Sequence, residues 1–331
     1  MLLGGHRRHR FALAVPDRRD VEQDLRFEAA LLRLVGLEHE HRRRPDIQFY
    51  DTAGTPAGAI AAYGRAVAEG SDYVVGPLGR DEVSALLHER LTVPVLALNR
   101  GNVAPPAGST SFSLAPEDDG IAAAEYLLAH NAKRVLVLSD ASQRRVVSAF
   151  SEQLKSRGGV VADGIVVAGK PGDINASLQA SLQKAGTVDA VFLATNLEQA
   201  RALAPQLAVA GLASKPRVLA TTGVISGSSA GLEGIAYPSE SWGRRSVAGL
   251  PSPDTAGKIL PSVRGGGARL FAFGHDAWLL TAYMERLATT ADGNVQGATG
   301  TLRLDGFGNV MRTPAWSTFS GASLTPPSDG K

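Results

Sequence analysis

From Phe11 onward the sequence alternates short, almost wholly apolar runs with longer segments whose apolar residues recur at helical spacing. That rhythm restricts the chain to βα units laid on parallel sheet. The run 11–15 offers no polar face, so it suits a strand covered on both sides, whereas 21–39 sets Leu25, Ala29, Leu32 and Gly36 along one helical stripe. The units that follow predict strands over 47–50, 73–75, 93–98 and 109–114, with helices over 56–69 and 80–90. Thr55 and Pro56 open the first of these helices as cap and first residue. At 114–118 the pattern predicts a crossover into a new helix that starts at Pro116, with carboxylates in its first turn favoured by the helix dipole. The rhythm then begins again: helix to Ala129, strand 134–138, helix 142–157, strand 165–167, helix 174–184, strand 190–194, helix 197–210 and strand 217–220.

Two such runs in 331 residues imply two lobes, each with its own core. Beyond the second run, 226–231 and 249–267 are rich in Gly, Ser and Pro and read as loops. A strong helix over 273–287 precedes a β-hairpin over 297–312, whose turn at 305–308 contains two glycines able to take positive φ.

Charge and composition remove several classes of function. With 34 basic against 32 acidic residues the net charge is +2, too small a field to hold a nucleic acid. The absence of cysteine removes disulfides, thiolate metal sites and thiol nucleophiles. No run approaches the roughly 20 apolar residues of a membrane span, and the opening residues lack a signal peptide's order of basic start, apolar run and cleavage site. No cofactor motif is present.

The order of these elements, closed by the hairpin residues Gly297, Gly300, Leu302, Leu304, Asp305 and Gly308, resembles the type I periplasmic-binding-protein fold. The resemblance implies an α/β protein of two Rossmann-like lobes with parallel sheets and three crossovers: 11–114 with about 239–291 as one lobe, 115–238 with about 292–320 as the other, and tails at 1–10 and 321–331. Four motifs narrow it: Val-Val-Gly-Pro-Leu at 74–78, Pro-Val-Leu-Ala-Leu-Asn at 94–99, Phe-Ser-Leu-Ala-Pro-Glu-Asp at 112–118 and Leu-Phe-Ala-Phe-Gly-His-Asp-Ala-Trp at 270–278. In order and spacing they resemble the C-terminal domain of the penicillin-binding protein activator family, of the LppC or LpoA type. That resemblance implies a non-catalytic periplasmic regulator of peptidoglycan synthesis, anchored at the outer membrane as a lipoprotein and partnered by a class A penicillin-binding protein. The family's lipidated cysteine and helical-repeat half are not found in this sequence.

Strand ends are where a small ligand would sit in such a fold. They nominate Gly76, Pro77, Leu78, Asn99 and Arg100 in the first lobe and Asp140, Thr195, Asn196, Thr221 and Thr222 in the second, with His275 and Asp276 heading the late helix as capping or cleft-lining residues. Amino-acid-binding relatives carry Ser or Thr after the corresponding strands to grip a carboxylate, but this chain has Gly79, Arg80 and Asp81, then Asn99, Arg100 and Gly101. A hydrolase reading of the Gly-Ser-Ser-Ala-Gly run around Ser229 lacks the strand and helix that a nucleophile elbow needs. A metal reading of Glu38, His39, Glu40 and His41 fails because residues two apart on a helix do not face each other. The expectation is a binding protein with no catalytic residue, metal or cofactor.

Overall fold

The computed structural model describes residues 10–15, 46–169, 172–220, 230–247, 249–263, 266–290 and 293–320. The helix expected over 21–39, the 38–41 cluster, Thr221, Thr222, Ser229 and both tails lie outside the described residues. The chain forms two compact units, 1–115 with 245–312 and 116–244 with 313–331, and crosses between them three times.

In the first unit, β1 (Arg10–Val15), β2 (Asp46–Asp51), β3 (Tyr73–Val75), β4 (Val95–Ala97) and β5 (Thr110–Ser111) form a parallel sheet in the order β2-β1-β3-β4-β5. Helix α1 (Pro56–Ala68) starts where the Thr55 hydroxyl accepts the Gly58 N–H at 3.0 Å, with Pro56 just inside. It turns Ala59, Ala62, Tyr63 and Ala66 inward, and together with α2 (Arg80–Leu87) it covers Val74, Val95 and Ala97.

In the second unit, β6 (Arg134–Asp140), β7 (Val160–Val167), β8 (Ala190–Ala194), β9 (Arg217–Leu219), β10 (Ile235–Ser239) and β14 (Ala315–Thr318) are ordered β14-β10-β9-β8-β6-β7. Only β14 runs antiparallel to its neighbour. Alternation along β6 and β8 feeds two cores: Leu136, Leu138, Val191 and Leu193 point to one face, Val135, Val137, Phe192 and Ala194 to the other. Each such Leu or Phe, fully buried, contributes about 1.5–3 kcal/mol of transfer free energy. Helices α3 (Pro116–Ala129) and α4 (Arg144–Ser156) pack so closely that a Cβ on Gly120 would collide with the Val146 carbonyl. Phe150 of α4 stacks on Phe192 with ring centroids 4.0 Å apart. Helices α5 (Asn175–Ala185) and α6 (Leu197–Val209) complete this unit.

The late region departs from the sequence reading in three respects. Within the stretch read as loop, α7 (Pro253–Ile259) forms because Ser252 accepts the Thr255 N–H and Pro253 is a ready first residue. The last helix, α8 (Gly266–Thr289), is longer than 273–287, and its second residue, Gly267, lies so close to the Ser262 carbonyl that a Cβ there would collide with it. Strands β11 (Asn294–Gln296), β12 (Thr301–Leu304) and β13 (Val310–Thr313) make a separate sheet whose Val295, Leu302 and Val310 share a core with Phe112, Phe273 and Leu280. Residues 294–312 therefore belong to the first unit, whereas the sequence reading assigned 292–320 to the second. Among the described residues no helix is long and apolar enough to cross a membrane.

Candidate functional site

The first-unit candidates gather at the C-terminal ends of β3 and β4. Gly76 has φ +105°, a conformation open to glycine, and its bond to Pro77 is cis. The Gly76 N–H donates to the Leu96 carbonyl at 2.8 Å and the Leu98 N–H to the Pro77 carbonyl at 3.0 Å, so these turns stay tied to each other. Asn99 completes the tie: its Nδ2 donates to the Leu78 carbonyl at 3.0 Å and its Oδ1 accepts the Arg100 N–H at 2.9 Å. Both ends of the Asn99 amide thus bond to the protein itself. The Arg100 guanidinium reaches the Met311 sulfur at 3.5 Å.

Sequence reasoning missed Glu82, which is buried on the first turn of α2 with its carboxylate where a Cβ on residue 79 would lie. A carboxylate here would repel a ligand's carboxylate, the opposite of a hydroxyl clamp. The signal available was a Glu three residues after Gly79 in the N-cap position.

His275 and Asp276 do not line a cleft. Asp276 is 0 % exposed, and its carboxylate accepts the Ala298 N–H at 2.6 Å, the Thr299 N–H at 2.7 Å and the Thr299 hydroxyl at 2.6 Å. The buried His275 places Nδ1 3.0 Å from the same carboxylate. A Cβ on Gly297 would fall within 2.6 Å of both carboxylate oxygens. The Thr299 hydroxyl donates to the carboxylate and not to the imidazole, so Thr299, Asp276 and His275 do not form a nucleophile–base–orienter chain. Their role is to pin the turn 297–299 onto α8.

The second-unit candidates converge more tightly. β6 is flanked by β7 and β8, so the chain leaves β6 first to one side and then to the other, and the crevice outside the C-terminal ends of β6 and β8 is the topological switch point where α/β sheets bind ligands. Asp140 ends β6, and Thr195 and Asn196 follow β8. Between them lies Gln199, 1 % exposed, which sequence reasoning also missed. Its Nε2 donates to Asp140 Oδ2 at 2.8 Å and faces the Ala168 and Gly169 carbonyls at 3.2 and 3.3 Å, while its Oε1 accepts the Asn196 N–H at 3.0 Å. Asn196 returns the bond, accepting the Gln199 N–H at 2.8 Å in a capping box. The Gln199 amide thus ties the C-terminal ends of β6, β7 and β8 to one another.

Hydrogen bonds from Ser142, and after them Gln199, hold the Asp140 carboxyl below its ordinary range. The Thr195 hydroxyl, 2 % exposed, has no hydrogen-bond partner among the described residues. Among the described residues no group of three or more His, Asp or Glu could hold a metal ion.

The profile of the LppC lipoprotein family matches residues 27–321. The penicillin-binding protein activator LpoA of Klebsiella pneumoniae is 27% identical over 321 residues, covering 86% of this chain and 45% of that protein. The chain thus spans about half the length of the curated relatives it matches. Among solved structures, the C-domain of LpoA (YraM) from Haemophilus influenzae, a regulator of PBP1A, superposes with a TM-score of 0.75 at 19% identity, covering 96% of this chain and 99% of that domain. A branched-chain amino acid ABC transporter protein from Chromobacterium violaceum superposes with a TM-score of 0.68 at 21% identity, over 94% of this chain and 99% of that one. The fold is the type I periplasmic-binding-protein fold, as the order of elements implied.

Proposed function

Since the chain belongs to the LppC lipoprotein family, we propose that it is a non-catalytic regulator of peptidoglycan synthesis, acting in the periplasm by docking on a class A penicillin-binding protein. The family match over 27–321 carries this reading, and the activator relatives support the choice of partner. The interiors of the two units support a mechanism of surface contact. The Gln199 amide is spent on Asp140 and the Asn196 N–H, and the buried His275–Asp276 pair is spent on a turn, so neither offers a reactive group to a substrate. In this reading the chain alters the synthase by binding it, and any coupling is limited to the difference in its affinity for the enzyme's states. Outer-membrane attachment would use a lipidated segment outside this sequence, which contains no cysteine. The test is a pull-down with the class A synthase of the same cell, followed by glycan polymerisation and cross-linking assays. Binding with stimulation is expected; neither binding nor stimulation would remove the reading.

One observation favours a second reading, a small-molecule binding protein. The buried Thr195 hydroxyl, without a partner among the described residues, sits at the end of β8, where a ligand acceptor could satisfy it. Thermal-shift screening against amino acids, peptides and muropeptides checks it, because a ligand of the folded state raises the melting temperature. The regulator reading expects a flat screen.

A further inference from the structure

We infer that a groove in the first unit, beside the start of β5, receives a basic, extended peptide segment of a protein partner. The groove is about 830 Å³ and lies between the loop carrying Pro105 and Pro106, the last turn of α8 and the β12–β13 turn. That volume is within the roughly 300–1,000 Å³ of sites that bind compact ligands.

Its walls are fixed before anything binds. The Ser111 N–H donates to the Gly308 carbonyl at 3.0 Å, joining the β12–β13 turn to β5, and a Cβ on Gly308 would touch the Pro105 ring at about 3.5 Å. Within the turn, Asp305 Oδ1 accepts the Phe307 and Asn309 N–H groups, both at 2.8 Å, and Oδ2 accepts Asn309 Nδ2 at 2.9 Å. A groove held this way loses little freedom on binding.

Charge and surface chemistry identify the occupant. Among the described residues lining the groove, Asp305 bears the only formal charge, and it is negative. Its Oδ2 has a single hydrogen-bond partner and so retains acceptor capacity. The C-terminal turn of α8, with Ala288, Thr289 and Thr290 on the rim, adds the negative end of a 24-residue helix. Phe307 is 74 % exposed at the turn, an aromatic face available to a cation. Leu304, Pro105 and Pro106 supply apolar surface for an aliphatic stem. A long cationic side chain in an otherwise extended segment matches all four features, whereas an acidic segment would meet like charge at Asp305 and the helix end.

Which protein bears the segment rests on the proposed function, with the class A synthase the partner to test; the groove's chemistry does not. The experiment measures binding of the full chain to that synthase by biolayer interferometry, comparing the native chain with Phe307→Ala, Ala288→Arg and, as a control on the other unit, the exposed Val209→Ala. Both Phe307 and Ala288 are exposed, and an Arg in the last turn suits the helix dipole, so the melting temperature is expected to hold. The expected result is about tenfold weaker binding for each groove variant and no change for Val209→Ala. In parallel, NMR titration with N-acetyl-arginine methylamide is expected to shift groove resonances, while the neutral citrulline analogue does not. Groove variants that bind the synthase like the native chain, or an arginine probe that shifts nothing, would overturn the inference. Loss of self-association in Phe307→Ala without loss of synthase binding would also overturn it and assign the groove to a second copy of the chain. If the native chain fails to bind the synthase but the arginine probe still shifts the groove, the proposed function falls and the groove's specificity stands.

Discussion

Replacing Asp276 should be among the costliest single changes available in the first unit. Its carboxylate is 0 % exposed and serves three buried donors, the N–H groups of Ala298 and Thr299 and the Thr299 hydroxyl. Asp276→Ala leaves those donors without an acceptor, at about 1–3 kcal/mol each, and because bonds in one network are not additive the expected loss is about 3–5 kcal/mol. Asp276→Asn keeps the volume but turns an NH₂ toward at least one of the donors, for a loss of about 2–3 kcal/mol. Gly297→Ala reaches the same network from the other side, since its Cβ would come within 2.6 Å of the carboxylate oxygens. Its cost should therefore shrink by about 1–2 kcal/mol when Asp276 is already Ala, which is the signature of direct coupling. Urea denaturation of the four proteins of this cycle, followed by tryptophan fluorescence, gives all the terms. A loss below about 1 kcal/mol for Asp276→Ala, or strict additivity with Gly297→Ala, would refute the role assigned to this carboxylate.

Other perturbations test separate parts of the structure. Gln199→Leu removes the capping box at α6 and the donor to Asp140, so chemical denaturation should record a loss of about 2–4 kcal/mol, with the greatest effect on the second unit's signals. Lys184 and, after it, Ser181 hold the Asp163 carboxyl below its ordinary value. That stabilisation is present above the unfolded value near 3.8 and is lost as pH falls through the lower folded value. Asp163→Asn should accordingly flatten the acid limb of a plot of urea midpoint against pH. Burial pushes the Tyr73 phenol up to about 12 from 10.0, so stability is intact below pH 10 and declines as pH rises toward 12. The full decline is about 3 kcal/mol, and it should be absent in Tyr73→Phe when midpoints are compared between pH 9 and 12.

Periodicity made the two sheets legible because a doubly covered strand such as β8 has to be apolar throughout, and Ala190–Ala194 is. Strands β10 and β14 escaped notice: Ile235–Ser239 contains a proline and Ala315–Thr318 is short and mixed, and they become strands by pairing, β10 with β9 and β14, and β14 with β10. Helix α7 was hidden in a Gly- and Pro-rich stretch even though Ser252 and Pro253 announce it, since seven residues carry too little periodicity to outweigh composition. At the candidate sites, Asp140, Thr195 and Asn196 lie at the ends of the neighbouring strands β6 and β8, a placement that follows from where those strands stop. What occupies the space between them could not be read in the same way. Gln199 reaches back across a turn of helix to Asp140, a residue 59 positions earlier, and no local pattern encodes that distance. The burial of His275 and Asp276 was not legible because the three hydrogen bonds that the Asp276 carboxylate accepts come from 298–299, more than twenty residues later in the chain.

The account stands most directly on a titration of the class A synthase with this chain, reading synthase occupancy and glycan polymerisation together. Recognition without turnover predicts that stimulation rises in proportion to occupancy and levels off once every synthase molecule is bound. Full stimulation at a small fraction of occupancy, or stimulation that persists after the chain is removed, would mean that it modifies the synthase or its substrate chemically and would contradict the account.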